Sequence, residues 1–172
     1  LKQLDTIAFG RGPGSFTGLR IGAGVTQGLA FGANLPVIPI SSLAALAQGV
    51  DAPQVLAALD ARMQQVYWGA YQRGPAGLME PVMPETVVDP VTAPLPPGTG
   101  WVVAGSGWDA YKDILETRVN ASGGSGLPGK IPQARNVAAL AISRLQAGDV
   151  VSPELAVPVY IRDDVAKKSG AV

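Results

Sequence analysis

The chain contains no cysteine and no histidine among its 172 residues. Without cysteine there is neither a disulfide framework nor a thiolate metal site. Without histidine, the commonest general base and the commonest metal ligand are both missing. Charge is sparse as well: 13 Lys and Arg balance 13 Asp and Glu, and charged residues make up only 15% of the chain. A net charge of zero, with no Lys/Arg-rich run, argues against a protein that grips nucleic acid by neutralising phosphates. No apolar run reaches membrane-spanning length and no signal peptide is evident, so the expected location is the cytoplasm. Apolar residues, by contrast, make up 47% of the chain, which excludes a disordered class and suffices for a real core.

The most informative stretch runs from Leu4 to Pro36. An apolar run (Ile7, Ala8, Phe9) reads as a strand over 4–10, followed by a turn containing Gly10, Gly12, Pro13 and Gly14. A long segment at helical spacing, 15–34, comes next, with Ser15 or Thr17 as its cap. Strand, glycine-rich turn and helix can aim backbone N–H groups and a helix N-terminus at an anion, which makes Gly12, Gly14 and Ser15 candidate phosphate contacts. The spacing is neither GxGxxG nor GxxxxGK[ST], so a plain tight connection is the competing reading.

The helix is more unusual than the turn. It carries Gly18, Gly22, Gly24, Gly28 and Gly32. Each costs roughly 1 kcal/mol relative to alanine, about 4–5 kcal/mol for the five, and only packing can offset that. Residues four apart share a helix face. Gly24, Gly28 and Gly32 therefore form a smooth stripe, as do Gly18 and Gly22, with Leu19, Ile21, Val25 and Leu29 beside them. Two readings stay open: close packing on the protein's own sheet, or a helix–helix interface with another chain.

These residues carry a resemblance. GRGPGSFTGLRIGAGVTQGLAF followed by PVIPISSLAALAQ is similar to the signature of the TsaB (YeaZ) family, and LAALDARMQQVYWGAY and PVYIRDDVAKK match it too. That family comprises non-catalytic actin-like subunits of the bacterial machinery that makes threonylcarbamoyladenosine at adenosine 37 of tRNA. The resemblance implies an α/β, actin-like (ribonuclease H-like) two-lobe fold, with residues 1–52 in the first lobe and 53–172 in the second. The family's first hairpin and helix precede Leu1, so the expectation is a first lobe lacking both. It also implies partnership with the catalytic subunit TsaD and the ATPase TsaE, a homodimer when the partner is absent, and only indirect contact with tRNA. ATP or ADP would be bound at the complex, if at all. Relatives have been described as peptidases, but this chain has no histidine to build such a metal site. The rival from another class is an active actin-like ATPase or kinase, which would need an Asp-containing first hairpin.

Further along, Val37 to Ile40 reads as a strand interrupted by Pro39, and Ser41 and Ser42 cap a short helix from Leu43 to about Gly49. Val55–Leu59 and Gln65–Tyr71 read as a hairpin. By resemblance its turn faces a nucleotide cleft, so Asp60 and Arg62 join Gly12, Gly14 and Ser15 as candidate cleft residues. An Asp–Arg pair that merely shapes the turn is the alternative. Residues 74–100, rich in proline, read as an exposed connection with short strands. Trp101–Ala104 reads as a strand and Asp109–Val119 as one helix, with Ser122–Gly126 as a mobile loop. A helix over Gln133–Ala147, an extended run over Val157–Ile161 and a charged tail from Arg162 complete the expectation.

Overall fold

A computed structural model describes residues 3–162. The charged tail expected beyond Arg162 lies outside the described residues. Strand β1 (Ile7–Gly12) runs into helix α1 (Phe16–Ala33), and strand β2 (Val37–Ser41) returns parallel to β1. Pro39, lacking an N–H, sits opposite Phe9 on a strand whose far side carries, among the described residues, an isolated bridge from Val37 to Val151. Helix α2 (Ser42–Gln48) follows directly, its first turn capped by the Ser41 hydroxyl, which accepts from Leu43 N and Ala44 N.

The second sheet is built on β3 (Gln54–Asp60), which pairs antiparallel with β4 (Val66–Arg73). Two short strands, β5 (Met79–Pro81) and β6 (Thr86–Val88), share the other edge of β4. On the far side of β3 lie the parallel strands β7 (Val102–Ala104) and β8 (Ser125–Leu127). Strand β3 is buried on both faces, so its apolar run does not alternate with polar residues. Leu56 and Ala58 face one core with Trp68, Trp101 and Trp108, while Val55, Ala57 and Leu59 face the other with Leu43 and Leu46 of α2. The first sheet is likewise covered twice: Phe9 and Val37 meet Ala23 and Ala30 of α1, and Ile38 and Ile40 meet helix α5 (Ala134–Gln146). The chain therefore does not stay with the second sheet after residue 53; α5 and Ala156 return to the first.

Three expectations change. The helix expected over Asp109–Val119 is two helices, α3 (Ser106–Ala110) and α4 (Lys112–Asn120), broken at Tyr111, whose backbone leaves the helical region. The proline-rich stretch is more than an exposed connection: Ala93 is fully buried, and Pro94 O and Pro97 O accept the indole N–H groups of Trp68 and Trp101. The segment read as a mobile loop contributes β8, with Gly126 paired to Val103. Glycine there is a packing requirement, because a Cβ on Gly126 would overlap the Trp108 ring. Composition alone cannot separate a flexible glycine from one fitted beneath an aromatic.

Gly126→Ala is expected to lower stability by about 3 kcal/mol through overpacking, seen as a fall in Tm of roughly 6–12 °C for a chain of this size. Gly24→Ala, where nothing lies within 4 Å of the new methyl, is expected to raise stability by up to about 1 kcal/mol. Thermal unfolding by circular dichroism checks both.

Candidate functional site

Helix α1 begins at Ser15, whose hydroxyl accepts from Gly18 N at 3.4 Å, and ends at Asn34 in the left-handed conformation. Its buried stripe is narrow and made of small side chains: Ala23, Thr26 and Ala30. Everything opposite faces solvent. Ideal Cβ atoms built at Gly22, Gly24, Gly28 and Gly32 meet nothing within 4 Å, so this stripe does not pack on the protein's own sheet. Gly18 meets only the side chain of Ser15. Ile21, Val25, Leu29 and Phe31 are exposed beside the glycines, and from Thr17 to Ala33 the helix carries one charge, Arg20, near its start. Leu19 stands apart: it turns inward, and its Cδ1 would lie 2.9 Å from a Cβ on Gly12. The result is an uncharged helix face with close backbone access in its middle, a shape suited to another helix.

The candidate cleft residues come from two turns. Gly12 adopts φ +107°, a conformation that favours glycine, and its open side is filled by Leu19 and by the carbonyl oxygen of Val159, 2.9 Å from the Cβ position. A carbonyl oxygen at that point repels a phosphate. Gly14 and Ser15 remain accessible. In the β3–β4 turn, Asp60 Oδ1 accepts from Arg62 N at 2.9 Å, and Oδ2 pairs with Arg62 Nη1 at 3.2 Å. Asp60 and Arg62 are therefore paired within the turn. Tyr111 donates to Asp60 Oδ1 at 3.4 Å, and Asp60 N donates to the Ser106 hydroxyl at 3.1 Å. Burial first, and then the Asp60 carboxylate, raise the Tyr111 phenol above its ordinary pKa. Ser106 and Tyr111 lie 46 and 51 residues downstream of Asp60, too far apart in the chain for a local motif to pair them with it.

The two turns are joined by the C-terminal segment. Val159 N donates to Arg11 O at 2.8 Å, and the Arg162 guanidinium donates to Gln65 Oε1 at 2.6 Å. The backbone from Val159 to Arg162 spans at most about 10 Å. The C-terminal segment thus links the turn that carries Gly12, Gly14 and Ser15 to the turn that carries Asp60 and Arg62. Among the described residues, a cavity of about 520 Å³ lies beside β1, lined by Ala8, Ser42, Val137 and Ala141.

A second buried polar contact lies in the second lobe. The Tyr71 hydroxyl of β4 donates to Glu85 Oε1 at 2.5 Å. Burial, reinforced by the Glu85 carboxylate, pushes the phenol pKa far above its usual value, while the Ser41 hydroxyl and the Arg11 guanidinium of the first lobe oppose the rise.

Two lobes, each a sheet covered by helices on both faces and joined through a shared helix, define a protein of the actin-like, ribonuclease H-like class. A family model described as "TsaD: tRNA N6-adenosine threonylcarbamoyltransferase" matches residues 1–169. The chain is 42% identical over 176 residues to the tRNA threonylcarbamoyladenosine biosynthesis protein TsaB of Escherichia coli, covering 98% of this chain and 75% of that protein. Against TsaB of Haemophilus influenzae the identity is 40% over 182 residues, covering 98% and 74%. The solved structure of YeaZ from Pseudomonas aeruginosa superposes with a TM-score of 0.84 at 41% identity, covering 92% of this chain and 76% of that one. The chain belongs to the TsaB (YeaZ) family.

The Tyr71 junction sets a pH dependence. The unfolded chain ionises this phenol near pH ~10 and the folded chain does not, so its contribution is intact below that pH and is lost above it, by about 1.4 kcal/mol per pH unit. Denaturant unfolding of wild type and Tyr71→Phe between pH 9 and 11 is expected to show the steeper loss only in wild type. At pH 7 the substitution is expected to cost about 1–3 kcal/mol, because it leaves the Glu85 carboxylate without its donor.

Proposed function

We propose that this chain takes part in threonylcarbamoyladenosine biosynthesis on tRNA as a non-catalytic subunit, docking to a TsaD-type transferase through the solvent face of α1. The single observation that supports this most is that face: four glycines with open space above them, flanked by Ile21, Val25 and Leu29 and free of charge except for Arg20. A helix pays for such glycines only if something else uses the close approach they allow.

The remaining features agree with a supporting rather than a catalytic role. The Asp60 carboxylate is committed to Arg62 and Tyr111, and the space over Gly12 is taken by a carbonyl. Any ATP or ADP of the complex is therefore held mainly by the partners, TsaD and TsaE. The zero net charge fits a subunit that meets tRNA only through its partner. A second copy of the chain is the occupant of α1 when the partner is absent. The site of action is the cytoplasm, where the tRNA substrate is found.

Gly28→Leu tests the reading, because its two effects have opposite signs. Leucine improves intrinsic helix propensity, while a side chain in the middle of a close helix–helix contact holds the helices apart. The expected result is loss of co-purification with the TsaD partner, and of threonylcarbamoyl transfer in the reconstituted assay, with the Tm of the isolated chain unchanged or slightly raised. Unchanged association would overturn α1 as the docking face. Metal-dependent ATP hydrolysis by the isolated chain, abolished by Asp60→Asn, would return the ATPase reading.

A further inference from the structure

The β3–β4 turn has an odd backbone. Arg62, Met63 and Gln64 all sit at positive φ, 60°, 52° and 59°, and none is glycine. Side chains other than glycine resist that region, and a run of three persists only where surrounding contacts over-determine it. Bonds inside the turn supply part of this. Asp60 accepts from Arg62 N, Ala61 N donates to Gln65 O, and Gln65 N donates to Arg62 O.

The rest comes from almost a hundred residues away. The segment 151–162 starts on the first lobe, where Val151 bridges to Val37 and Ala156 is fully buried beside Phe9 and Ala30. It crosses the end of β1 through Val159 N to Arg11 O. At Tyr160 it lies on the start of α1, with its ring 5.6 Å from that of Phe16 and its hydroxyl accepting from Arg20 Nε at 3.1 Å. The Arg20 guanidinium stacks on the other partner, 3.8 Å from the Phe16 centroid. At its end Arg162 reaches the second lobe, donating to Gln65 Oε1 at 2.6 Å and toward Met63 Sδ at 3.3 Å.

We propose that residues 156–162 are a strap that latches the strained β3–β4 turn, with Arg162 as the latch and Tyr160 on Phe16 as its fixed point on the first lobe. The strap holds Asp60 and Arg62 in one geometry and ties the separation of the lobes to the start of α1. This goes beyond the docking role of α1 and does not depend on it, because every contact invoked lies within one chain. Arg162 is a positioning residue: it acts on the polar turn through Gln65 and Met63.

The test is amide hydrogen exchange of the full chain, read at residues 62–66 against Leu56–Ala58 in the centre of β3 as an internal reference. Arg162→Ala is expected to speed exchange in the turn about tenfold and to leave β3 unchanged. Gln64→Gly supplies the complementary half, since glycine removes the left-handed strain at the residue between the two, Met63 and Gln65, that Arg162 engages. In that background the effect of Arg162→Ala is expected to shrink to threefold or less, the non-additivity that marks two groups acting on one turn. Exchange in the turn that Arg162→Ala leaves at the wild-type rate would overturn the latch. So would an equal rise in β3, which means general loosening, or an undiminished effect in the Gln64→Gly background.

Discussion

Everything in this molecule leans on the seven residues of α2. Apart from Ser42 and Gln48 at its two ends the helix is apolar, and Leu43, Ala45, Leu46 and Ala47 are all buried. Leu43, Leu46 and Ala47 belong to the core of the second sheet, and Ala45 to that of the first. A helix apolar on all sides is stable only when enclosed, so the two sheets are obliged to approach from opposite sides. The contacts of Val159 with Arg11 O and of Arg162 with Gln65 Oε1 then link the turn after β1 to the turn after β3.

The same economy leaves α1 half finished. Its inner stripe of Ala23, Thr26 and Ala30 lets it lie close on Phe9 and Val37. Small residues bury little area, however, so the helix draws modest stability from its own lobe. Its outer face adds exposed aliphatic groups and unfavourable glycines. That exposed apolar surface, with open space above the glycines, is the feature on which the proposed docking role rests. The carboxylate of Asp60, by contrast, has its partners, Arg62 and Tyr111, inside the chain.

Much of this was legible in advance. The strands β1 to β4, helix α2 with its Ser41 cap, helix α5 and the family itself follow from periodicity, capping residues and motif. The pairing of Asp60 with Arg62 is two residues long and equally local. The misreadings share one cause. Ser122–Gly126 looks like a linker because glycine and serine signal freedom, yet the Trp108 ring demands a residue without a Cβ at Gly126. The prolines of 74–100 look like a surface loop, yet their carbonyls are what the buried indoles of Trp68 and Trp101 need. The break at Tyr111 goes with a bond to Asp60, 51 residues earlier in the chain.

By itself, the sequence determined whatever is settled within a few residues: which segments coil or extend, where they are capped, and that glycines recur every fourth position along α1. It did not determine which way that stripe faces. Glycine has no side chain to prefer core or solvent, so the orientation was decided by Ala23, Thr26 and Ala30 finding Phe9 and Val37 across the first sheet. Nor could it join the two turns. The contacts of Val159 and Arg162 bring together groups almost a hundred residues apart or more, and only a chain already collapsed around α2 brings such groups within hydrogen-bonding range.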